Sequence, residues 1–303
     1  MSIMAASIIT NKLTKQYGSS ASRALSELSL EIQPGEVYGF LGANGAGKST
    51  TIRLLLNFLQ PTSGSATILG LDSVGDSQAV KKHIGYLAGD IALYKKPTGK
   101  ELLDFMSSLQ PSTGTASYRK VLEKRFQADL AKPIGTLSKG NRQKIGIIQA
   151  FMHQPRVLIL DEPTSGLDPL MQEAFYQTVA ESKQQGAAIL MSSHSFAEAE
   201  KTCDRIGIIR QGRLVLEQKI SAESSLDTVI FRVTFVKSAS LTDSKSASGL
   251  TFVSQTDSHS GLYKPSGSIG EALKALSRYD ISELSTQKLD LEDEFLEYYG
   301  ATE

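Results

Sequence analysis

The chain is 303 residues long, 40% hydrophobic and 21% charged, which is enough for a sizeable core and for more than one domain. Its 32 basic residues balance 32 acidic ones, which argues against a chain that coats nucleic acid, because such domains carry a basic surplus. A single cysteine, Cys203, and four scattered histidines, His83, His153, His194 and His259, leave no internal disulfide and no zinc cluster, and fit a reducing, intracellular setting.

The start, MSIMAASIIT, lacks a basic leader and reads as an edge strand rather than a secretory signal. From residue 7 to residue 219, short β-like runs alternate with helical patterns, the mark of an α/β layer fold. Strands are expected at 7–13, 28–32, 36–41, 65–68, 84–87, 157–160, 188–191 and 205–210. Helices are expected at 48–59, 99–107, 139–153 and 168–184. No stretch approaches the ~18 consecutive apolar residues that cross a bilayer. If the protein works on membranes, another chain must supply the crossing part. After about Ser221 the character changes. TVIFRVTFV (228–236) reads as a strand, and the serine-rich run 237–249 as a surface loop or hairpin tip. A second strand follows at 250–254, then a helix with Ile269, Ala272, Leu273 and Leu276 on one face. The end, LEDEFLEYYG, reads as a short acidic helix. Two domains are therefore expected, 1–221 and 222–303, the second a small α+β appendage.

Three segments carry chemistry. Gly42-Ala43-Asn44-Gly45-Ala46-Gly47-Lys48-Ser49 matches the phosphate-loop pattern G-x-x-x-x-G-K-[ST], set between an apolar run and a helix as the motif requires. Glycines let the backbone wrap phosphates so that successive N–H groups point inward, and the helix N-terminus adds its positive end. Lys48 neutralises the β- and γ-phosphates, and the Ser49 hydroxyl is placed to ligate Mg²⁺. The run VLIL followed by Asp161-Glu162 is a buried strand ending in two carboxylates. Alternation along a strand would send them in different directions, leaving Asp161 for Mg²⁺ and Glu162 for the attacking water as general base. Between these segments, Leu137-Ser138-Lys139-Gly140-Asn141-Arg142-Gln143 opens the helix that leads to the Asp161 strand. Taken alone it is a simple serine N-cap; its hydroxyl and free N–H groups also suit an anion.

This order of motifs resembles the ATP-binding cassette (ABC) family of ATPases, whose signature LSGGQ lies about 20 residues before the two carboxylates. The resemblance covers roughly residues 7–219. It implies a P-loop NTPase fold of the ABC type, with an antiparallel β subdomain and a helical subdomain. By that resemblance Tyr17 stacks on adenine, Asp168 belongs to the D-loop Ser165-Gly166-Leu167-Asp168, and His194 is the switch histidine. It further implies ATP and Mg²⁺ as cofactors and a head-to-tail homodimer or pseudo-dimer. ATP held by Gly42 through Thr50 of one subunit would be capped by Ser138 and Gly140 of the other. Lys48, Glu162 and His194 would be the catalytic residues, and Ser49 and Asp161 the metal ligands.

Two segments depart from the family pattern. Gly89 stands where the Q-loop glutamine is expected, so that role is either missing or passes to Asp90 as a further metal ligand. In the signature, Lys139 replaces a glycine and Asn141 the glutamine. With the C-terminal appendage, these features look like the separate ATPase subunits of bacterial type-2 ABC exporters. That likeness implies an integral membrane permease as partner, no nucleic acid, and a place in the cytoplasm on the inner face of the membrane. The segment 91–106, with Ile91, Leu93 and Tyr94, would meet the permease or pack in the core. A soluble, non-transport ABC ATPase is the alternative.

Overall fold

The first strands of the chain alternate apolar and polar residues, which leaves each with one face to bury. In the computed structural model, which describes residues 5–18, 23–91, 93–109, 115–220, 229–237 and 249–288, they form an antiparallel sheet. Its strands β1 (Ile8–Gln16), β2 (Arg23–Ile32), β4 (Ser63–Ile68) and β5 (Leu71–Asp72) lie in the order β2-β1-β4-β5. Ile8 sits opposite Ile32 on one side and Ile68 on the other, and all three are fully buried. The N-terminal strand is thus an interior strand, not an edge, because β4 pairs with it from far along the chain, Ile68 against Ile8. The second strand begins at Arg23 rather than at residue 28. Glu27 adopts φ 52°, a kink that breaks the two-residue alternation on which the shorter expectation rested.

The other sheet is built from runs that are apolar on both faces, as parallel strands covered by helices require. Strands β3 (Val37–Leu41), β6 (Ile84–Leu87), β7 (Val157–Asp161), β8 (Ala188–Ser193) and β9 (Arg205–Arg210) pair in parallel. An antiparallel edge strand, β10 (Arg213–Lys219), completes the order β10-β9-β3-β8-β7-β6. Every residue of β3, β7 and β8 is buried.

Helices α1 (Lys48–Leu55), α2 (Ser77–Lys81), α3 (Gly99–Leu109), α4 (Thr115–Phe126), α5 (Lys139–Phe151), α6 (Pro169–Gln184) and α7 (Phe196–Thr202) complete this unit. α1 stops four residues before the expected 59, with Asn57 at φ 53°, the left-handed conformation that ends helices. α2, α4 and α7 were not expected. α4 buries only Leu122 and Phe126 among its apolar residues, and its place is set by Arg125, which forks onto Glu181 of α6 at 2.7 and 2.8 Å.

The chain divides into two units, Met1–Ile220 and Ser221–Glu303. In the second, β11 (Val229–Phe235), β12 (Leu250–Gln255), β13 (Ser260–Pro265) and β14 (Ile281–Lys288) form an antiparallel sheet in the order β12-β13-β11-β14. Helix α8 (Ile269–Leu276) joins it, opened by Ser268 and Glu271, whose side chains cap each other's backbone N–H. The buried stripe of α8 is Ala272, Ala275 and Leu276; Ile269 and Leu273, expected on that face, are exposed. Most of the serine-rich run (238–248) and the terminal LEDEFLEYYG lie outside the described residues. Among the described residues no helix is long and apolar enough to cross a membrane.

Candidate active site

β3 delivers the chain to the glycine-rich loop, and α1 begins at its end. Gly47 takes φ 119°, and a Cβ there would come within 2.9 Å of the Ala24 carbonyl oxygen and of Ile209 Cδ1, so only glycine fits. Lys48 is buried beneath the loop and its ammonium donates to the carbonyl oxygens of Gly42 and Ala43. Burial pulls its pKa down, while the carboxylates of Glu162 and Asp161 pull it back up. A ligand phosphate would replace those carbonyl contacts with a stronger one, in which both partners are charged. A cleft over the loop is lined by residues 43–45 and 47–50 and by Glu162.

Asp161, the last residue of β7, faces α1. The Ser49 hydroxyl donates to its Oδ2 at 3.1 Å, and the Ser192 hydroxyl to its Oδ1. Hydroxyl and carboxylate oxygens side by side are hard donors of the kind Mg²⁺ takes. Gly89 stands directly against this carboxylate: a Cβ built on it would begin 3.4 Å from Asp161 Oδ2. The position expected for the Q-loop glutamine therefore does face Asp161, but with no side chain to offer. Asp90, next in the chain, is exposed.

Glu162 is oriented by something other than strand alternation. It leaves β7 at φ 44°, a left-handed conformation that a non-glycine residue keeps only when its surroundings hold it. Ser192 does so, accepting the Glu162 N–H on its carbonyl oxygen at 3.2 Å and on its Oγ at 3.1 Å. The carboxylate then lies 3.4 Å from His194 Nδ1. Ser192, which touches both carboxylate residues, escaped the sequence analysis because the strand was expected to end at residue 191. Its place two residues before His194 was the available signal.

The remaining predicted residues are not among those that line this cleft. Tyr17 follows β1 with its ring 45% exposed and the Lys15 ammonium 5.5 Å from its centroid, so it is not a core tyrosine. Ser138 caps α5, accepting the Asn141 N–H at 3.2 Å. Gly140 is needed for close approach: a Cβ there would meet the Gly166 carbonyl oxygen at 2.7 Å. Lys139 reaches the same loop, donating to Ser165 Oγ at 3.0 Å. Asn141 is turned inward, exchanging hydrogen bonds with the backbone of Asp129 at 3.0 and 3.2 Å. Gln143 is buried and donates to the Pro163 carbonyl oxygen at 2.6 Å, tying α5 to the segment just past Glu162. Asp168 caps α6 through the Met171 N–H at 3.0 Å.

A strand–loop–helix phosphate site, with two adjacent carboxylates at the end of a parallel strand of the same sheet and a histidine beside them, defines a P-loop nucleotide-binding protein. Residues 25–165 match the family described as "ABC transporter". The bacitracin transport ATP-binding protein BcrA of Bacillus licheniformis is 37% identical over 216 residues, 71% of this chain and 70% of that protein. The probable multidrug ABC transporter ATP-binding protein YbhF of Escherichia coli is 36% identical over 213 residues, but the match spans only 36% of its length. A solved ATP-binding subunit of an ABC transporter superposes with TM-score 0.67 at 29% identity, covering 70% of this chain and 90% of that one. The chain belongs to the family of ABC transporter ATP-binding proteins.

Proposed function

We propose that this chain hydrolyses ATP to drive transport through a separate membrane permease. The observation that carries the reading is the convergence on the loop cleft of Ser49 with Asp161, at 3.1 Å, and of Glu162 with His194, at 3.4 Å. Loop N–H groups and Lys48 bind the β- and γ-phosphates. Ser49 and Asp161 hold Mg²⁺, which supplies positive charge to the phosphate oxygens as negative charge develops. Asp90, next to Gly89 and exposed, is the candidate for a further ligand beside them. Glu162 takes a proton from the attacking water, and His194 fixes its carboxylate and reaches the γ-phosphate. Tyr17 offers its open ring to adenine. Ser138, Gly140 and Asp168 meet the nucleotide of a second copy, so that ATP closes a head-to-tail homodimer and hydrolysis reopens it.

The 1–221 portion is the nucleotide-binding domain and 222–303 an accessory domain. Transport outward, with the permease selecting the cargo, is supported by the likeness to BcrA and YbhF, named for bacitracin and multidrug transport. The chain then sits peripherally on the cytoplasmic face of the membrane. The test is Glu162→Gln. Removing the base is expected to lower hydrolysis about 10³-fold while ATP and Mg²⁺ convert the purified protein into a persistent dimer, read by light scattering. A variant that binds ATP yet stays monomeric overturns the dimer, and one that still hydrolyses at the native rate overturns the role of Glu162.

A further inference from the structure

His194 is one residue of chain between two rigid elements. Ser193 is the last residue of β8, and Ser195 is the N-cap of α7. The imidazole itself is held by little, since its side chain is 67% exposed. Its two neighbours, however, are both fastened to Glu198, on the first turn of α7. Ser193 Oγ donates to Glu198 Oε2 at 2.5 Å and accepts the Ser195 N–H at 3.0 Å. Ser195 Oγ in turn accepts the Glu198 N–H at 3.4 Å. Glu198 is only 7% exposed, and burial raises its carboxyl pKa, against opposing pulls from Ser193, Thr164 and His194. A cavity beside the catalytic cleft shares Glu162 with it, is lined also by His194, and continues past Thr164 and Ser193 to Glu198 and Lys201.

Burying a carboxyl is costly, and among the described residues Glu198 forms no ion pair: Lys201, which also lines the cavity, is paired with Glu173 at 3.7 Å. What the carboxyl does is close a ring of hydrogen bonds around a single-residue link. We propose that Glu198 is a positioning residue for hydrolysis, holding Ser193 and Ser195 so that His194 stands against Glu162. The inference rests on the catalytic reading of Glu162 and His194. Without the carboxylate, the Ser193 hydroxyl and the Ser195 N–H lose their fixed arrangement, and the imidazole gains rotational and backbone freedom. A displacement of about 1 Å at such a group is enough to cost on the order of 10²-fold in rate.

Four full-length proteins decide it: Glu198→Ala, Glu198→Gln, His194→Ala, and the double variant Glu198→Ala with His194→Ala. Each is assayed for ATP hydrolysis, for KM, and for binding of a fluorescent ATP analogue, with thermal melting as a control for folding. Glu198→Ala is expected to lower kcat about 10- to 100-fold with KM within twofold. Glu198→Gln, whose side-chain oxygen still accepts from Ser193, is expected to recover to within about threefold of native. In the His194→Ala background, Glu198→Ala is expected to add nothing, because it acts through the residue already removed. A further loss in the double variant equal to that in the single one, or a native kcat for Glu198→Ala, overturns the proposal. If His194→Ala itself hydrolyses ATP normally, the underlying reading of the site falls instead.

Discussion

Two helices of the first unit begin where phosphate is proposed to sit, and they begin differently. α1 starts after Gly47, at φ 119°, and no side chain caps it. α5 starts after Ser138, whose own hydroxyl accepts the Asn141 N–H. An uncapped helix end is less stable when empty, and its free N–H groups take their partners from water or from a ligand. A capped one is complete alone, and a ligand must compete with the serine. The first end is built for a nucleotide that stays within the same chain. The second is finished as a surface, braced on its own D-loop by the close approach of Gly140 to Gly166 and by the bond from Lys139 to Ser165. That is the condition expected of an element that meets its phosphate only when a second subunit brings one.

Substitutions at the two ends test this contrast. Gly47→Ala forces a side chain into a left-handed position and against the Ala24 carbonyl oxygen. It is expected to cost about 2–3 kcal/mol, a fall of about 5–10 °C in Tm for a unit of this size, and to abolish the rise in Tm that ATP gives the native chain. An unchanged melting temperature would mean that the loop tolerates a second conformation. Ser138→Ala removes only a cap, worth about 1 kcal/mol. Tm should fall by about 2–4 °C, and ATP binding by the monomer should not change. In the Glu162→Gln background, however, the ATP-driven dimer should weaken. If Ser138→Ala lowers monomer affinity, the two ends do not differ in the way described.

The cassette was legible in the sequence where one residue type is forced by one local requirement. Gly47, Lys48 and Ser49 follow from what a phosphate needs of a strand–loop–helix turn. The buried runs of β3 and β7 follow from a sheet covered on both faces. What escaped depends on partners far along the chain. β1 became an interior strand through β4, and Ser192 became important by lying beside Asp161 on the next strand. The direction of Glu162 came from a left-handed backbone that no periodicity foretells. β13, β14 and β10 were missed because their mixed runs, SGLYKP, ISELSTQK and RLVLEQK, carry a weak apolar alternation. The apolar face of α8 was placed one position off because Ala275, small and unremarkable in sequence, is what packs against the sheet.

Lys139 sharpens the contrast most finely, because it adds a charge to the end that is otherwise closed. The residue is exposed, and its single hydrogen bond, to Ser165 Oγ at 3.0 Å, leaves the ammonium largely solvated. Lys139→Ala should therefore change stability by less than about 0.5 kcal/mol. If the α5 end faces the γ-phosphate of a second subunit, the charge still acts at a distance through water. The KM for ATP should rise about two- to threefold in dilute buffer, and the difference should vanish near 0.5 M salt, where screening reaches only about 4–5 Å. Hydrolysis by the native protein should show the matching loss of affinity as salt is raised, and the alanine variant should show less of it. A KM that is equal in the two proteins at every salt concentration would make Lys139 a brace for the D-loop alone. The anion site at α5 would then rest on Ser138 and the backbone N–H groups, without help from the lysine that stands where the family has a glycine.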